Sequence, residues 1–542
     1  MEKTRQLLKE YFGYDAFRAG QEEVIDRIVA GRDALSIMPT GGGKSICYQL
    51  PALALGGVTL VISPLISLMA DQVSQLVKRG IRAAYINSTL TPGQVRTVLA
   101  RALRGEYSLI YCAPERLDSE AFLSVVRQLD IRLLVVDEAH CISEWGQDFR
   151  PSYRKIADFT AKLAKRPVIA AFTATATDRV REDIEFFLKL QDPYKLVLGF
   201  DRPNLSFFVE EPEDKEKALL KFIRNRAEKC GIVYCLTRKQ TDEVTELLLS
   251  RGISAAAYHA GLSEEERKEN QEAFLSGKTR VIVATNAFGM GIDKPDVAYV
   301  LHYSIPLNLE HYYQEAGRAG RNGEPAECML YFAEADVARC KWLLENGVKQ
   351  GELSPELEKK HLEQNQVRLA LMVLYCKTYG CLRNYILRYF GEEPKDDCGK
   401  CSRCTDPILP KTEKKQGSDA LYKKLAAKRN EIAKRKRLPA YVVFTNETLQ
   451  ALAEERPKTY YDFIRIYGIG KRKAELYASD FLAIINGYTT KKAANSGKVW
   501  SADEIRRLKL AYFRGKSIAD IAKIHERSEG AIRERLEKLG LI

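Results

Sequence analysis

What this sequence does not contain sets its first limits. No apolar run among the 542 residues approaches the roughly 20 needed to span a bilayer. The opening Met1-Glu2-Lys3-Thr4-Arg5 runs into charged, amphipathic sequence with no signal-peptide apolar region behind it. A membrane span and export are both disfavoured, and a cytoplasmic location is expected. There is no disulfide framework either. The 12 Cys are scattered apart from one tight cluster, which favours metal over disulfides in a reducing compartment. An acidic excess is also missing: the net charge is +13, and it is unevenly placed. Thr405 to Ile542 carry 30 Lys+Arg against 17 Asp+Glu, while the first 404 residues hold 55 of each. A neutral body with a basic tail region points the tail at a polyanion; a solvated surface is the alternative.

What remains is an ordinary globular composition, 45% hydrophobic and 29% charged, in a chain long enough for about three to five domains. Its organising stretch runs from Leu35 to Ser45. Leu35 to Met38 read as a buried strand, and Pro39-Thr40-Gly41-Gly42-Gly43 as the turn before a helix opened by Lys44-Ser45. Glycines there let backbone N–H groups close around phosphate oxygens, with Lys44 reaching the β- and γ-phosphates and the Ser45 hydroxyl on Mg²⁺. The strict pattern begins with a Gly four residues clear of the Gly-Lys pair, and Met38 stands in that place. An ordinary strand–helix loop is the bland alternative.

A second strand-like run, Val58 to Ser63, leads into Pro64-Leu65-Ile66-Ser67-Leu68, and a third, Leu133 to Val136, ends in Asp137-Glu138-Ala139-His140. Carboxylates at the carboxyl end of a parallel strand point into the crevice where ligands sit. Asp137 is placed to hold Mg²⁺ through water and Glu138 to orient or deprotonate an attacking water. The following loop, Cys141 to Pro151, sets Trp145 and Phe149 around a glycine. Loop aromatics stack on single-strand bases for about 1–3 kcal/mol each, although anchoring the loop into the core competes with that reading. Val168 to Phe172 then deliver Thr173-Ala174-Thr175, whose hydroxyls are placed to link two halves of a motor.

A new strand–helix alternation begins near Gly231 to Cys235 and continues through Ala255 to Gly261 and Val281 to Thr285, without a phosphate loop of its own. After Ala287-Phe288-Gly289-Met290-Gly291-Ile292 comes Gln314-Glu315-Ala316-Gly317-Arg318-Ala319-Gly320-Arg321. Two Arg three apart are expected on one helical face, where they neutralise charge on a transferring phosphoryl group from across a cleft. A salt-bridged helix face is the alternative.

The order phosphate loop, Asp-Glu-Ala-His, Thr-Ala-Thr and Gln-x-x-Gly-Arg-x-Gly-Arg resembles a superfamily-2 helicase with two RecA-like lobes. The Phe17-Arg18-x-Gly-Gln21 entry, the Trp-Gly loop and the Ala-Phe-Gly-Met-Gly-Ile stretch narrow the resemblance to the RecQ family of DNA helicases, from Tyr11 to Cys404. It implies that Tyr14, Arg18 and Gln21 bind adenine, and that Thr40 to Ser45 hold the phosphates and Mg²⁺. Asp137, Glu138, His140 and Gln314 would serve hydrolysis, with Arg318 and Arg321 completing the site. Ser143, Trp145, Phe149, Arg150 and His259 would meet single-stranded DNA. One departure is Gln147, where the family carries His; Gln cannot be protonated, so weaker coupling of DNA to hydrolysis is expected.

Cys398-x-x-Cys401-x-x-Cys404 is a thiolate comb, and four Cys suit a closed, structural Zn²⁺ site, with an iron–sulfur cluster as runner-up. The resemblance selects Cys381 over the nearby Cys376 as the fourth ligand, and implies that the helices between Lys359 and Phe390 form a platform beside the DNA. Thr405 to Ser418 is too short for the winged-helix domain of many relatives. Asp419 to Tyr488 resembles the helicase-and-RNase-D C-terminal domain, through Leu421 to Leu425, Pro439 to Phe444 and Gly468-Ile469-Gly470. Gly468 to Lys473 and Lys434 to Arg437 are candidate phosphate contacts. The last residues read as three short helices opened by a Ser501/Glu504 capping box. They look like a helix-turn-helix, with Ile532, Leu536 and Leu539 inward and Arg533, Arg535 and Lys538 toward a DNA groove. This module is a candidate duplex anchor in place of the winged helix.

The expected fold is therefore α/β: two RecA-like parallel-sheet lobes (1–205 and 206–340), a helical zinc platform (341–406), and all-α domains at 418–488 and 498–542. The expected function is 3′–5′ unwinding of DNA driven by ATP, with Mg²⁺ and Zn²⁺, in repair and recombination. The rivals are an ATP-gated DNA clamp with little net unwinding and an RNA helicase of the same superfamily. Single-stranded, 3′-tailed or branched DNA is the expected partner and a single-strand-binding protein a candidate one. No membrane is expected, and the chain is expected to be a monomer.

Overall fold

A computed structural model describes the chain except for residues 1, 40, 65, 147, 289–293, 347–354, 395, 407–418, 437–439, 464–465, 467–468, 470, 488–499, 514–515, 517, 526, 528, 540 and 542. Two compact units divide after Pro410. The first holds two sheets. Strands β1 (Ala34–Ile37), β2 (Val58–Ile62), β3 (Ala83–Ile86), β4 (Leu109–Cys112), β5 (Ile131–Val136), β6 (Val168–Thr173) and β7 (Tyr194–Val197) lie in the order 3-4-2-5-6-1-7. All their pairings are parallel. The unbroken apolar runs in β1, β2 and β4 are buried along their whole length, as strands covered on both faces require.

Strand order explains why motifs far apart in sequence meet. β5, β6 and β1 are neighbours, and Ile37 lies opposite Thr173 while Val136 lies opposite Ala171. The glycine turn, the Asp-Glu pair and the Thr-Ala-Thr turn thus leave the sheet side by side at its carboxyl edge, the ligand-binding edge of such sheets.

The second sheet contains β8 (Leu205–Glu210), β9 (Cys230–Tyr234), β10 (Ala255–Tyr258), β11 (Val281–Ala284), β12 (Val297–His302) and β13 (Ala326–Tyr331), in the order 10-11-9-12-13-8. It too is parallel throughout. The connector between sheets is fastened at several points. Phe200 stacks on Phe390 with ring centres 4.3 Å apart, and its carbonyl accepts from Tyr313 Oη at 2.7 Å. Arg202 donates to the carbonyls of Gly317, Ala319 and Gly320 at 3.1–3.2 Å.

That last contact corrects one expectation. The helix Leu309–Ala316 stops at Gly317, so Arg318 and Arg321 lie in successive turns and not on one helical face. Gly320 has φ +57°, and a Cβ there would come within 2.4 Å of Asn204 Nδ2. Arg202 takes the carbonyl of Gly317 at the helix end, and glycine at 320 lets the following turn close against Asn204.

Helices Pro355–Lys377 and Leu382–Tyr389 follow, the second capped by Cys381. The second unit contains a bundle built on Asp419–Lys436, Asn446–Glu455 and Lys471–Gly487, whose core includes Leu425, Phe444, Leu452, Phe463 and Phe481. Lys434 and Arg435 are exposed in it; Arg437, Gly468 and Gly470 lie outside the described residues. The last three helices are Ala502–Phe513, Ile518–His525 and Glu529–Lys538, with Leu508, Ile521, Ile532 and Leu536 buried and Leu539 packed against them. Ser501 Oγ caps the first by accepting from Glu504 N at 3.2 Å. The Glu504 carboxylate also pairs with Arg527, at 2.6 and 2.9 Å. The Trp500 ring takes the Arg527 guanidinium at 4.2 Å and that of Arg535 at 5.7 Å. No helix among the described residues is long and apolar enough to cross a membrane.

Candidate functional site: a nucleotide cleft, an aromatic loop and a thiol cluster

The glycine turn opens the helix Lys44–Leu55 with Gly41 at φ +82° and Gly43 at φ +80°. Its carbonyls are held from upstream: Arg18 Nη1 donates to Gly41 O at 2.6 Å, and Gln21 Nε2 to Gly42 O and Gly43 O at 3.3 and 3.2 Å. Gln21 is itself steadied by Arg18 N, which donates to its Oε1 at 2.8 Å. Tyr14 is exposed in the preceding loop. Thr40 lies outside the described residues. From the second sheet Arg321 reaches this turn: a Cβ on Gly41 would sit 3.4 Å from its Cγ.

Asp137 and Glu138 are both buried. Burial, then the adjacent Glu138 charge, push the Asp137 carboxyl up, against the pull of Lys44. Burial also opposes ionisation of Glu138, but Lys44, His140 and Arg318 together hold that carboxyl down. One acid of the pair therefore gives up its proton readily and the other reluctantly. His140 Nδ1 lies 3.3 Å from Glu138 Oε2 and 2.8 Å from Thr173 Oγ1, so the Thr-Ala-Thr turn is wired to the carboxylates through one imidazole. Glu138 itself has φ +48°, a strained value for a residue with a side chain. Gln314, on the helix Leu309–Ala316, and Arg318, in the turn after it, are both buried.

The aromatic loop is less open than its composition suggests. Ser143 Oγ donates to Asp183 Oδ2 at 2.5 Å and accepts from Trp145 N. The Arg179 guanidinium lies 3.8 Å over the Trp145 ring, and Phe149 packs against Arg154 and His361. Arg150 pairs with Asp148 and donates to Pro64 O at 3.0 Å. A Cβ on Gly146 would fall 2.0 Å from His140 O, so glycine alone lets the loop close onto the carboxylate turn. His259 stands apart from this group. Its Nδ1 accepts from Gly261 N at 3.1 Å, which puts the ring proton on Nε2, facing Asp242 at 2.7 Å. Gln147 and residues 289–293 lie outside the described residues.

Cys381, Cys398, Cys401 and Cys404 bring their sulfurs within 4.8 Å of one another. Three of the separations are 3.4, 3.9 and 3.9 Å. Four thiolates at about 2.3 Å from Zn²⁺ stand about 3.8 Å apart in a tetrahedron, so the cluster fits the ion. Leu382 N and Cys398 N donate to two of the sulfurs, at 3.3 and 3.4 Å. Such bonds stabilise thiolate charge. Cys376, one turn away in sequence, is buried outside the cluster.

Comparison with known proteins agrees with this geometry. Residues 18–184 match the DEAD/DEAH box helicase family, 214–323 the helicase conserved C-terminal domain, 334–405 the RecQ zinc-binding domain and 418–485 the HRDC domain. The ATP-dependent DNA helicase RecQ of Bacillus subtilis is 47% identical over 75% of this chain and 67% of its own length. The protein of the same name from Pasteurella multocida is 39% identical over 86% and 71%. The chain belongs to the RecQ family of ATP-dependent DNA helicases. In this RecQ-family helicase the two parallel sheets are RecA-like lobes. Solved structures share that fold. Yeast (S. cerevisiae) Dbp5 bound to RNA and ADP BeF3 is 18% identical, with TM-score 0.50 over 67% of this chain and 97% of Dbp5. The Mycobacterium smegmatis helicase Lhr bound to ssDNA and AMP-PNP is 16% identical, with TM-score 0.50 over 84% and 74%.

Sequence reasoning passed over the parts of this RecQ chain that hold the motifs in place. Arg202 and the Phe200–Phe390 stack lie in a connector with no motif of its own, and Glu144 is a single acid in a polar loop. A Gly43→Ala change tests how tight the cleft is. A Cβ there would sit 2.3 Å from Gln21 Nε2 at an already unfavourable φ. ATP affinity measured with a fluorescent analogue is expected to fall by about fivefold to a hundredfold, since strain of this kind costs about 1–3 kcal/mol. An unchanged Kd would refute the packing argument.

Proposed function

We propose that this helicase moves 3′ to 5′ along single-stranded DNA and separates 3′-tailed or branched duplexes, with ATP hydrolysed between the lobes. The observation that carries the cleft assignment is Arg321, delivered from the second lobe onto the glycine turn of the first. In this reading Lys44 holds the β- and γ-phosphates, Glu138 orients the attacking water, and Arg318 and Arg321 steady charge that develops on the transferring group. Ser45 and Asp137 would hold Mg²⁺, which when bound neutralises phosphate oxygens. A hydroxyl and a buried carboxylate already short of positive charge fit a hard dication. Tyr14, Arg18 and Gln21 would bind the base. His140 would pass the state of the carboxylates to Thr173, and the loop from Ser143 to Arg150 would report the presence of a strand. The four thiols would hold one structural Zn²⁺, and a role in repair and recombination follows from the same assignment.

The test is strand separation with ATP and Mg²⁺ on 3′-tailed, 5′-tailed and blunt duplexes, with Glu138→Gln as the hydrolysis-deficient control. Separation of the 3′-tailed duplex that vanishes in Glu138→Gln supports the reading. A preference for the 5′ tail overturns the direction, and DNA-stimulated hydrolysis without separation favours a clamp.

A further inference from the structure

The helices Lys215–Arg224 and Arg238–Ser250 cover one face of the second sheet. Leu219 and Ile223 of the first and Val244 and Leu248 of the second share a core with Val233 of β9 and Val283 of β11. Their outer sides leave a groove of about 460 Å³. Its floor is apolar, with Leu220 buried and Leu247 half-buried. Its rim is basic: Lys217, Lys221, Arg224 and Arg251 line it, and all four are exposed. The first helix leads into β9, and the second runs from β9 toward β10. Arg224 and Arg251, at the far ends of these helices, therefore lie toward the amino edge of the sheet, opposite its carboxyl edge.

Three of the four cations are uncommitted. Lys217 is taken by Asp214, whose carboxylate lies 3.1 Å from its Nζ and accepts from its backbone N–H at 3.0 Å. Lys221, Arg224 and Arg251 enter no ion pair among the described residues. Glu216, at the other end of the first helix, is the second acid of the lining. Unpaired cations alone describe any solvated surface; the apolar floor between them is what sets this groove apart. Lys221 and Arg224 share one helical face, and Arg251 lines the groove from the second helix. A phosphate backbone would pair with these cations but leave Leu247 uncovered. A carboxylate-rich peptide with an apolar side chain satisfies both, because covering that side chain removes apolar surface from water while the rim charges steer and orient the segment.

We propose that this groove docks an acidic peptide segment of a partner protein. Its carboxylates meet Lys221, Arg224 and Arg251, and an aliphatic or aromatic side chain seats over Leu220 and Leu247. Asn225, exposed beside Arg224, offers its amide to the peptide backbone. Because the groove lies on a sheet face and toward the amino edge, a docked partner leaves the nucleotide cleft free. It rides on the second lobe while ATP turns over, at the raised effective concentration that a tether gives.

The experiment titrates the full chain into a short fluorescein-labelled peptide rich in Asp and Glu with two leucines, read by fluorescence anisotropy at two salt concentrations. The wild type is expected to bind, less tightly at the higher salt. The double variant Lys221→Glu/Arg224→Glu is expected to bind at least about tenfold more weakly, since two exposed pairs are lost and turned repulsive. Its DNA-stimulated ATP hydrolysis is expected to match wild type, which also shows that it is folded. Replacing the two leucines of the peptide with glycine is expected to weaken binding in the wild type. Equal binding to wild type and the double variant would place the peptide elsewhere on this basic chain and overturn the proposal. Equal binding of the glycine peptide would show that the floor takes no part, and would overturn it too. Displacement of the peptide by oligo(dT), with a matching loss of oligo(dT) affinity in the double variant, would make the groove a nucleic-acid surface instead.

Discussion

Replacing Arg321 with Ala is expected to lower the DNA-stimulated rate of ATP hydrolysis about 10³-fold, the scale on which an arginine supplied across a cleft acts. ATP affinity is expected to change much less, since such an arginine acts on charge that develops as the phosphoryl group leaves. The geometry behind this is specific. Arg321 lies in a turn fixed by Arg202 and Asn204, both in the connector that joins the lobes. Its stem lies along Gly41 of the glycine turn, and in the proposed reading this brings the guanidinium to the phosphates. Lys at this position keeps the charge but loses the planar fork, and is expected to recover little of the rate. Arg318 differs: it is buried, and its charge helps keep Glu138 ionised. Arg318→Ala is therefore expected to shift the pH dependence of hydrolysis as well as the rate, whereas Arg321→Ala shifts the rate alone. Steady-state hydrolysis at saturating single-stranded DNA, beside binding of a fluorescent ATP analogue, separates these. A loss of less than tenfold in Arg321→Ala would remove Arg321 from the reacting charge.

The residues that contact the cleft were legible because chemistry fixes their type and spacing. A glycine turn after an apolar run must precede Lys44, and an Asp-Glu pair must end a strand to reach the same edge. The apolar runs of β1, β2, β5, β6, β9 and β11 were readable for the same reason, within a residue or two at each end, whereas the run at β10 was read three residues past Tyr258. What was not legible is what holds these pieces in register. Whether Arg318 and Arg321 share a helix depends on Arg202, more than a hundred residues earlier in the chain, and no local pattern reveals that contact. Glu144 looks like any loop acid until the helix Pro355–Lys377 is packed beside it, with Lys360 Nζ 2.7 Å from its Oε2. Long-range packing decided each of these cases, and periodicity carries no information about it.

Cys401→Ser is expected to abolish metal binding and loosen the platform. Cys401 is fully buried, its sulfur lies 3.4 Å from that of Cys404, and it accepts from Leu382 N. A serine hydroxyl is a poor ligand for a site built of thiolates. Because a structural Zn²⁺ contributes on the order of 10 kcal/mol of binding free energy to folding, the segment it closes is not expected to survive alone. That segment reaches further than its cysteines. Arg403 donates to Thr378 O and Cys376 O, pinning the end of the helix Pro355–Lys377. Ser402 Oγ accepts from Val209 N of β8. Phe390, at the end of the next helix, stacks on Phe200 in the connector. Loss of metal is therefore expected to expose residues 355–405 to protease and to weaken coupling between the lobes. Cys376→Ser is the control, since that thiol is buried outside the cluster; it is expected to cost about 1–2 kcal/mol of packing and polar burial while keeping one equivalent of zinc. Elemental analysis decides between zinc and iron, and an iron–sulfur cluster would also colour the protein. One equivalent of zinc retained in Cys401→Ser, or lost in Cys376→Ser, would show that the four thiols are not the site.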